Sequence, residues 1–269
     1  MKISVCGRGG SGKSTLVSLL ARSAQLKGFT VLVVDSDESN SGLFRMLGFD
    51  NPPVPLMELV GGKKEVQVKL REVFSSDVPE SRMSILTQNT LMMDDIPARH
   101  IFRKNGLRLV CIGKIHQSLE GCACPMGVLS REFLKKLIPK GDEIVLVDLE
   151  AGVEHFGRGV ETSIDRVLVV VEPSFESLDL AERVKELTGG IKKNLWAVLN
   201  KIDSERLSSR LVRELKKREI EVIGKIPYDF DIFEACLEGR ALKADKAAHA
   251  AGKILDFLVS KHQRVNPER

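Results

Sequence analysis

The chain alternates short apolar runs with longer stretches in which apolar positions recur every three or four residues. Ile3–Cys6, Thr30–Val34, Leu107–Ile112, Glu143–Val147, Arg166–Val171, Asn194–Leu199 and Glu221–Ile226 predict strands. Several are apolar nearly throughout, as strands covered by helices on both faces must be. Between them the period becomes helical. Leu16, Leu19, Leu20 and Ala24 fall at i, i+3, i+4 and i+8, and Gly28 predicts the stop. Strands alternating with helices imply right-handed crossovers. The pattern therefore predicts the α/β class: a single domain over residues 1–262 with a mostly parallel, helix-flanked central sheet.

Two stretches break the rhythm. Residues 49–81 open on Pro52, Pro53 and Pro55, pass through Gly61–Gly62–Lys63–Lys64, and end in a charged, helix-like piece. They read as a surface insertion. Ala247 to His262 predicts a helix whose Ile254, Leu255, Leu258 and Val259 dock on the core, with residues 263–269 as a frayed tail.

At 269 residues the chain can bury a substantial core. No run of about 18 apolar residues exists, which predicts no membrane span and no membrane partner. Met1–Lys2 leads straight into the first strand, without a signal-peptide pattern, so a cytoplasmic location is expected. The net charge of +4 is spread over mixed-sign segments, which argues against a nucleic-acid partner. The five cysteines make an odd number, and in a cytosolic enzyme clustered thiols read as metal or redox groups.

The sharpest chemical signal lies where the first strand meets the first helix. Gly7–x4–Gly12–Lys13–Ser14 has the spacing of a phosphate-binding P-loop. Its glycines let backbone N–H groups curl around phosphate oxygens, and the helix N-terminus adds orphan donors and a favourable dipole. Gly9, Gly10, Ser11, Gly12 and Thr15 are expected to line the phosphates, Lys13 to reach the β- and γ-phosphates, and Ser14 to ligate Mg²⁺. This chemistry predicts a nucleoside triphosphatase.

Carboxylates at the C-terminal ends of neighbouring strands extend the site. Val34–Asp35–Ser36–Asp37 places Asp35 to hold the metal and Asp37 to orient or deprotonate the hydrolytic water. Ile144–Val145–Leu146–Val147–Asp148 is a Walker-B-like run that puts Asp148 near Mg²⁺, and Gly152 beyond it is placed to offer its N–H to the γ-phosphate. His155 follows, placed either to stabilise this switch loop or merely to be satisfied by a neighbour. Val198–Leu199–Asn200–Lys201–Ile202–Asp203 marks the base site, where an Asn side chain can pair with the adenine edge. The same spelling also suits guanine, so ATP and GTP both stay open on these residues. Ile226–Pro227–Tyr228–Asp229, after the last strand, is expected to supply a second wall of the base pocket.

Together these runs resemble the deviant Walker A ATPases of the MinD/ParA and nitrogenase iron-protein group. The carrying stretch is Arg8–Gly9–Gly10–Ser11–Gly12–Lys13–Ser14, where that group writes Lys-Gly-Gly-x-Gly-Lys-[Ser/Thr]. The resemblance extends through Asp35–Ser36–Asp37, Asp148 to Gly159, Asn200–Lys201 and Ile226–Pro227. It implies ATP over GTP, read through Asn200, and a homodimer that sandwiches two ATP molecules. The early basic residue then crosses the dimer interface to the partner's phosphates. Here that residue is Arg8, which keeps the charge and offers a planar fork in place of an ammonium.

A further cluster is Gly121–Cys122–Ala123–Cys124–Pro125. Thiolates two apart fill half of a four-coordinate shell, and an adjacent helix N-terminus favours the thiolate form. Two copies related by a twofold axis would supply four sulfurs, suited to Zn²⁺ if tetrahedral or Ni²⁺ if square-planar. This stretch, with Ile112–Gly113–Lys114–Ile115 and Ala151–Gly152–Val153–Glu154–His155–x2–Arg158–Gly159, resembles the ATPases that insert nickel into carbon monoxide dehydrogenase (the CooC type). The resemblance implies a metallochaperone that couples ATP turnover to nickel delivery, with carbon monoxide dehydrogenase or acetyl-CoA synthase as client. Two rivals remain. An iron–sulfur electron donor of the nitrogenase kind would take its cysteines from well-separated positions. A MinD/ParA-type spatial regulator would give Cys122 and Cys124 no role.

Overall fold

The computed structural model describes residues 1–74, 84–114, 124–243 and 245–265. Among the described residues the seven apolar runs and one short polar segment form eight strands in one sheet: β1 (Lys2–Gly7), β2 (Thr30–Ser36), β3 (Phe102–Lys104), β4 (Leu107–Cys111), β5 (Glu143–Leu149), β6 (Arg166–Val171), β7 (Asn194–Ile202) and β8 (Val222–Pro227). Their order across the sheet is β3-β4-β2-β5-β1-β6-β7-β8. All pairings are parallel except that of β3 with β4. The mostly parallel α/β sheet expected from the pattern is present. The antiparallel edge strand β3 is an addition, too short and polar to be read as a strand from its sequence.

The strands are apolar throughout because both faces are buried. In β2, Val31 and Val33 join one core cluster while Leu32 and Val34 join the other. The first cluster takes Leu16, Leu19 and Leu20 from α1 (Lys13–Leu26) and Ile254, Leu255 and Leu258 from the C-terminal helix. Each such residue contributes about 1.5–3 kcal/mol through the water it sheds. Helix α1 ends as expected, with the Gly28 N–H bonded to the Gln25 carbonyl at 2.9 Å and φ of +83°.

Short helices α2 (Leu43–Met46) and α3 (Leu56–Leu59) precede α4 (Gly62–Phe74). The stretch 49–81, expected as a surface insertion, sends Leu56, Met57, Val60, Val66 and Leu70 into the opposite core cluster, against Leu129 and Phe133 of α5 (Cys124–Lys136). Its prolines and charges shape the outer side of a segment whose inner side is apolar. Residues 75–83 lie outside the described residues. The remaining helices are α6 (Glu154–Gly157), α7 (Phe175–Gly190), α8 (Glu205–Lys217), α9 (Phe230–Glu238) and α10 (Asp245–Val265). Helix α10 begins before Ala247 and runs past His262, so helical backbone covers the first part of the expected tail, and residues 266–269 lie outside the description.

This topology puts β1 between β5 and β6, with β2 beyond β5. The C-terminal ends of β1, β2 and β5 therefore converge, bringing Gly7, Asp35 and Asp148 to one edge. The register pairs Asp35 directly with Asp148, and Val5 with Asp148.

Candidate functional site

Between β1 and α1 the chain forms the glycine-rich loop. Gly9 and Gly10 are exposed, whereas Ser11, Lys13, Ser14 and Thr15 are buried. The loop closes on itself: the Ser11 N–H donates to the Arg8 carbonyl at 3.1 Å, and Lys13 Nζ lies 3.5 Å from the same oxygen. Gly12 has φ of +96°, and a Cβ there would stand 2.1 Å from Asn200 Nδ2. Only glycine leaves room for the asparagine. Asn200 is 7% exposed and donates from Nδ2 to the Ser11 carbonyl at 2.7 Å, so the residue expected to read the base also braces the phosphate loop.

Ser14 joins three elements. Its hydroxyl donates to Asp148 Oδ2 at 2.5 Å and accepts from Asn40 Nδ2 at 2.6 Å. Asp35 bonds the ammonium of Lys114 at 2.7 Å. Burial pushes the Asp148 carboxyl up to about 7, with the Asp35 charge adding to the rise and the Ser14 hydrogen bond and Lys13 opposing it. Burial likewise lifts Asp35 to about 6, against the pull of Lys114. Asp148 Oδ1 is buried and has no hydrogen-bond partner among the described residues. Two crowded carboxylates, one with an orphaned oxygen, beside a serine hydroxyl make an all-oxygen donor set that fits a hard divalent cation.

Asp37 is buried, and its Oδ1 accepts from Ser39 N at 2.9 Å, Ser39 Oγ at 2.7 Å and Asn40 N at 3.1 Å. These bonds all stay within its own loop, an Asx-type turn that shapes the approach of Asn40 to Ser14. Gly152, at φ of +96°, donates its N–H to the Gly7 carbonyl at 3.4 Å.

On the other side of the loop, Arg8 Nη1 lies 3.4 Å from Glu172 Oε1. The second oxygen of Glu172 bonds Lys201 Nζ at 2.8 Å, and that ammonium also donates to the Gly10 carbonyl at 2.7 Å. Lys201 reaches there because the β7–β8 register is irregular between Leu199 and Ile202, and Lys201 itself takes a left-handed φ of +59°. Pro227 ends β8, where the Tyr228 N–H donates to the Ile202 carbonyl at 3.0 Å and ties the two strand ends together. A cleft of about 700 Å³ opens at the opposite edge of the sheet, lined by Met1, Lys2, Glu143 and Asp165 among others, remote from all these groups.

Residues 3–242 match the CobQ/CobB/MinD/ParA nucleotide binding domain family. The chain belongs to that family. It is an ATP-binding ATPase of the MinD/ParA type. It is 42% identical to an uncharacterized ATP-binding protein of Methanocaldococcus jannaschii, over 91% of this chain and 95% of the other. It is 30% identical to the carbon monoxide dehydrogenase accessory protein CooC of Rhodospirillum rubrum, over 99% of this chain and 98% of the other. Among solved structures, the septum site-determining protein MinD of Pyrococcus horikoshii, complexed with Mg-ADP, superposes with a TM-score of 0.67. That pair is 19% identical over 96% of this chain and 95% of the other, a likeness of fold.

The candidate site also gathers residues to which sequence reasoning assigns no role. Lys114 donates to Asp35 and to the carbonyls of Asp37 and Asn40, so one ammonium pins the loop after β2 to the end of β4. Asn40 and Glu172 were likewise not singled out. Glu172 carried the same signal as Asp35 and Asp148, an acidic residue capping an apolar strand. Lys114 and Asn40 sit in loops, and only the tertiary fold reveals what they touch. Of the thiols, Cys122 lies outside the described residues, and Cys124 begins α5 with its side chain outside the description. Among the described residues no group of three or more His, Cys, Asp or Glu side chains is gathered to hold a metal, and no helix is long and apolar enough to cross a membrane.

Proposed function

We propose that this ATPase is a metallochaperone that binds nickel or zinc through Cys122 and Cys124 of two protomers and couples ATP turnover to metal delivery into a nickel enzyme, carbon monoxide dehydrogenase or acetyl-CoA synthase. The observation that carries the reading is the Cys-x-Cys pair, in a chain related along its whole length to a carbon monoxide dehydrogenase accessory protein. Two cysteines per chain leave a four-coordinate ion half-ligated, so a twofold dimer completes the shell.

In this reading the backbone of Gly9, Gly10, Ser11 and Gly12 cradles the phosphates, with Lys13 and Thr15 at the start of α1. Ser14, Asp35 and Asp148 would hold Mg²⁺, which when bound neutralises charge on the β- and γ-phosphate oxygens. Asp37 orients the attacking water, and Asn200, Lys201 and Pro227 frame the adenine. Arg8 reaches the phosphates of the partner protomer as an arginine finger supplied in trans. Position along the chain supports a link between the two sites: Lys114, which donates to Asp35, precedes Cys122 by eight residues.

The test is titration of wild type and a Cys122→Ser/Cys124→Ser variant with nickel and with zinc, followed by absorbance and molecular size. The reading predicts one ion per two chains and metal-promoted dimers in wild type alone. Equal binding and dimerisation in the double variant contradicts it. Visible absorbance and a brown colour in anaerobically purified protein would favour an iron–sulfur donor. ATP-dependent co-sedimentation with liposomes or DNA would favour a spatial regulator.

A further inference from the structure

His155 is the second residue of α6, is 3% exposed, and has both ring nitrogens against oxygen acceptors. Nδ1 faces Glu161 Oε1, and Nε2 lies 3.1 Å from the Gly152 carbonyl oxygen. Glu161 is fully buried in the 3-10 turn Val160–Ser163, and its Oε2 has no hydrogen-bond partner among the described residues. A carbonyl can only accept, so the contact with Gly152 requires a hydrogen on Nε2. One further proton then lies between Nδ1 and Glu161, on either atom. The donation from Nε2 to Gly152 is the same in both cases.

Gly152 is thereby held on both sides. Its N–H donates to the Gly7 carbonyl at the mouth of the phosphate loop, and its C=O accepts from His155. A glycine at φ of +96° has no side chain to restrain it, so these two bonds define its orientation. Keeping a fully buried carboxyl group with one orphaned oxygen costs stability, and such costs are concentrated where function needs them.

We infer that His155 is a positioning residue for ATP hydrolysis: with its ring fixed by Glu161, its Nε2–H anchors the Gly152 carbonyl and so aims the Gly152 N–H. The inference rests on the reading of Gly152 as the residue that serves the γ-phosphate. Anchored at its carbonyl, Gly152 can move its N–H from the Gly7 carbonyl to a phosphate by rotation about a fixed point. Without the anchor the glycine samples many orientations, and few of them are productive.

Two amide variants separate this role from mere space-filling. In His155→Gln the side-chain NH₂ reaches the place of Nε2, whereas in His155→Asn it reaches only that of Nδ1. The expected result is that Asn lowers kcat by about 10–100-fold with KM for ATP within about twofold, while Gln stays within about threefold of wild type. Equal kcat in wild type, Gln and Asn overturns the inference, and so does equal loss in both variants. The underlying reading is probed in the wild type by the Gly152 backbone ¹⁵N–¹H resonance in Mg-ADP with and without a γ-phosphate mimic such as aluminium fluoride: an unmoved amide removes the phosphate role of Gly152, whereas a moved amide beside a fully active His155→Asn removes only the role of His155. A readout independent of activity is the ¹⁵N NMR spectrum of the wild-type imidazole. A protonated Nε2 is expected at neutral pH, and an unprotonated Nε2 would overturn the assignment.

Discussion

Arg8 and Glu172 form an ion pair within one chain, 3.4 Å from Nη1 to Oε1, at the residue proposed to act on the partner protomer's phosphates. Glu172 also holds Lys201, so one carboxylate serves two cations. With Arg8 about half exposed, the pair is worth at most about 1 kcal/mol. That is a modest tether, and a phosphate across an interface can outcompete it. Glu172→Gln is expected to free Arg8 and move the half-maximal ATPase rate to a severalfold lower protein concentration. Arg8→Ala should abolish the concentration dependence. ATPase rate measured against protein concentration checks both, and an Arg8→Ala variant as fast as wild type at every concentration contradicts the role in trans.

Asn200→Ala removes the bond to the Ser11 carbonyl and leaves that loop oxygen without its donor. A loss of about 1–3 kcal/mol of stability is expected, with weaker ATP binding, as read by denaturant unfolding and calorimetric titration. Gly12→Ala should be worse for nucleotide binding, because the new methyl displaces the Asn200 amide and the residue must hold a φ of +96°.

Lys114→Met takes the ammonium from a carboxylate that is itself buried. Removing one partner of such a pair is expected to cost about 3–5 kcal/mol. A companion Asp35→Asn change should restore part of that stability, since the amide carries no uncompensated charge. A double-mutant cycle in urea unfolding measures the coupling between the two residues.

The pH dependence of stability follows from the carboxyls at this edge. Asp35 rises from 3.8 to about 6, Asp148 from 3.8 to about 7, and Glu38 from 4.5 to about 7, in each case foremost through burial. For Glu38, Glu150 adds to the rise, while Arg158 and Lys63 oppose it. Each group binds its proton more tightly folded than unfolded. Each therefore contributes stability that is full below the unfolded value near pH 4 and is lost as pH rises through 6–7. The nucleotide-free protein should lose stability across that window, and Asp148→Asn should flatten the loss. Thermal unfolding between pH 4 and pH 8, without and with Mg-ATP, reads it, and saturating Mg-ATP should restore much of the stability at the upper end.

The sheet and its helices were legible because burial on both faces leaves a strong trace: the apolar runs of β2, β5 and β6 admit few other readings. The phosphate loop and the acidic strand ends were legible for a related reason, since a parallel sheet delivers every strand's C-terminus to one edge. What the sequence hid is what passes between loops. Lys114 meets Asp35 across 79 positions of chain, and Arg8 meets Glu172 across 164. No local period records such contacts. Residues 49–74 were hidden differently, for their prolines and lysines mask the apolar Leu56, Met57, Val60, Val66 and Leu70 that enter the core. His155 read as a lone histidine until the turn carrying Glu161 folded back onto it.

The central claim is that ATP turnover and metal binding are coupled through one symmetric dimer. Its most direct test is the nickel affinity and stoichiometry of the full chain at equilibrium, measured in Mg-ATP with an Asp37→Asn variant, which the proposed role of Asp37 predicts to be hydrolysis-deficient, and in Mg-ADP with wild type. The account predicts one nickel per two chains and an affinity that differs at least about tenfold between the two nucleotide states, which corresponds to about 1.4 kcal/mol of coupling. An affinity indifferent to nucleotide, or nickel binding undiminished in the Cys122→Ser/Cys124→Ser protein, would contradict it.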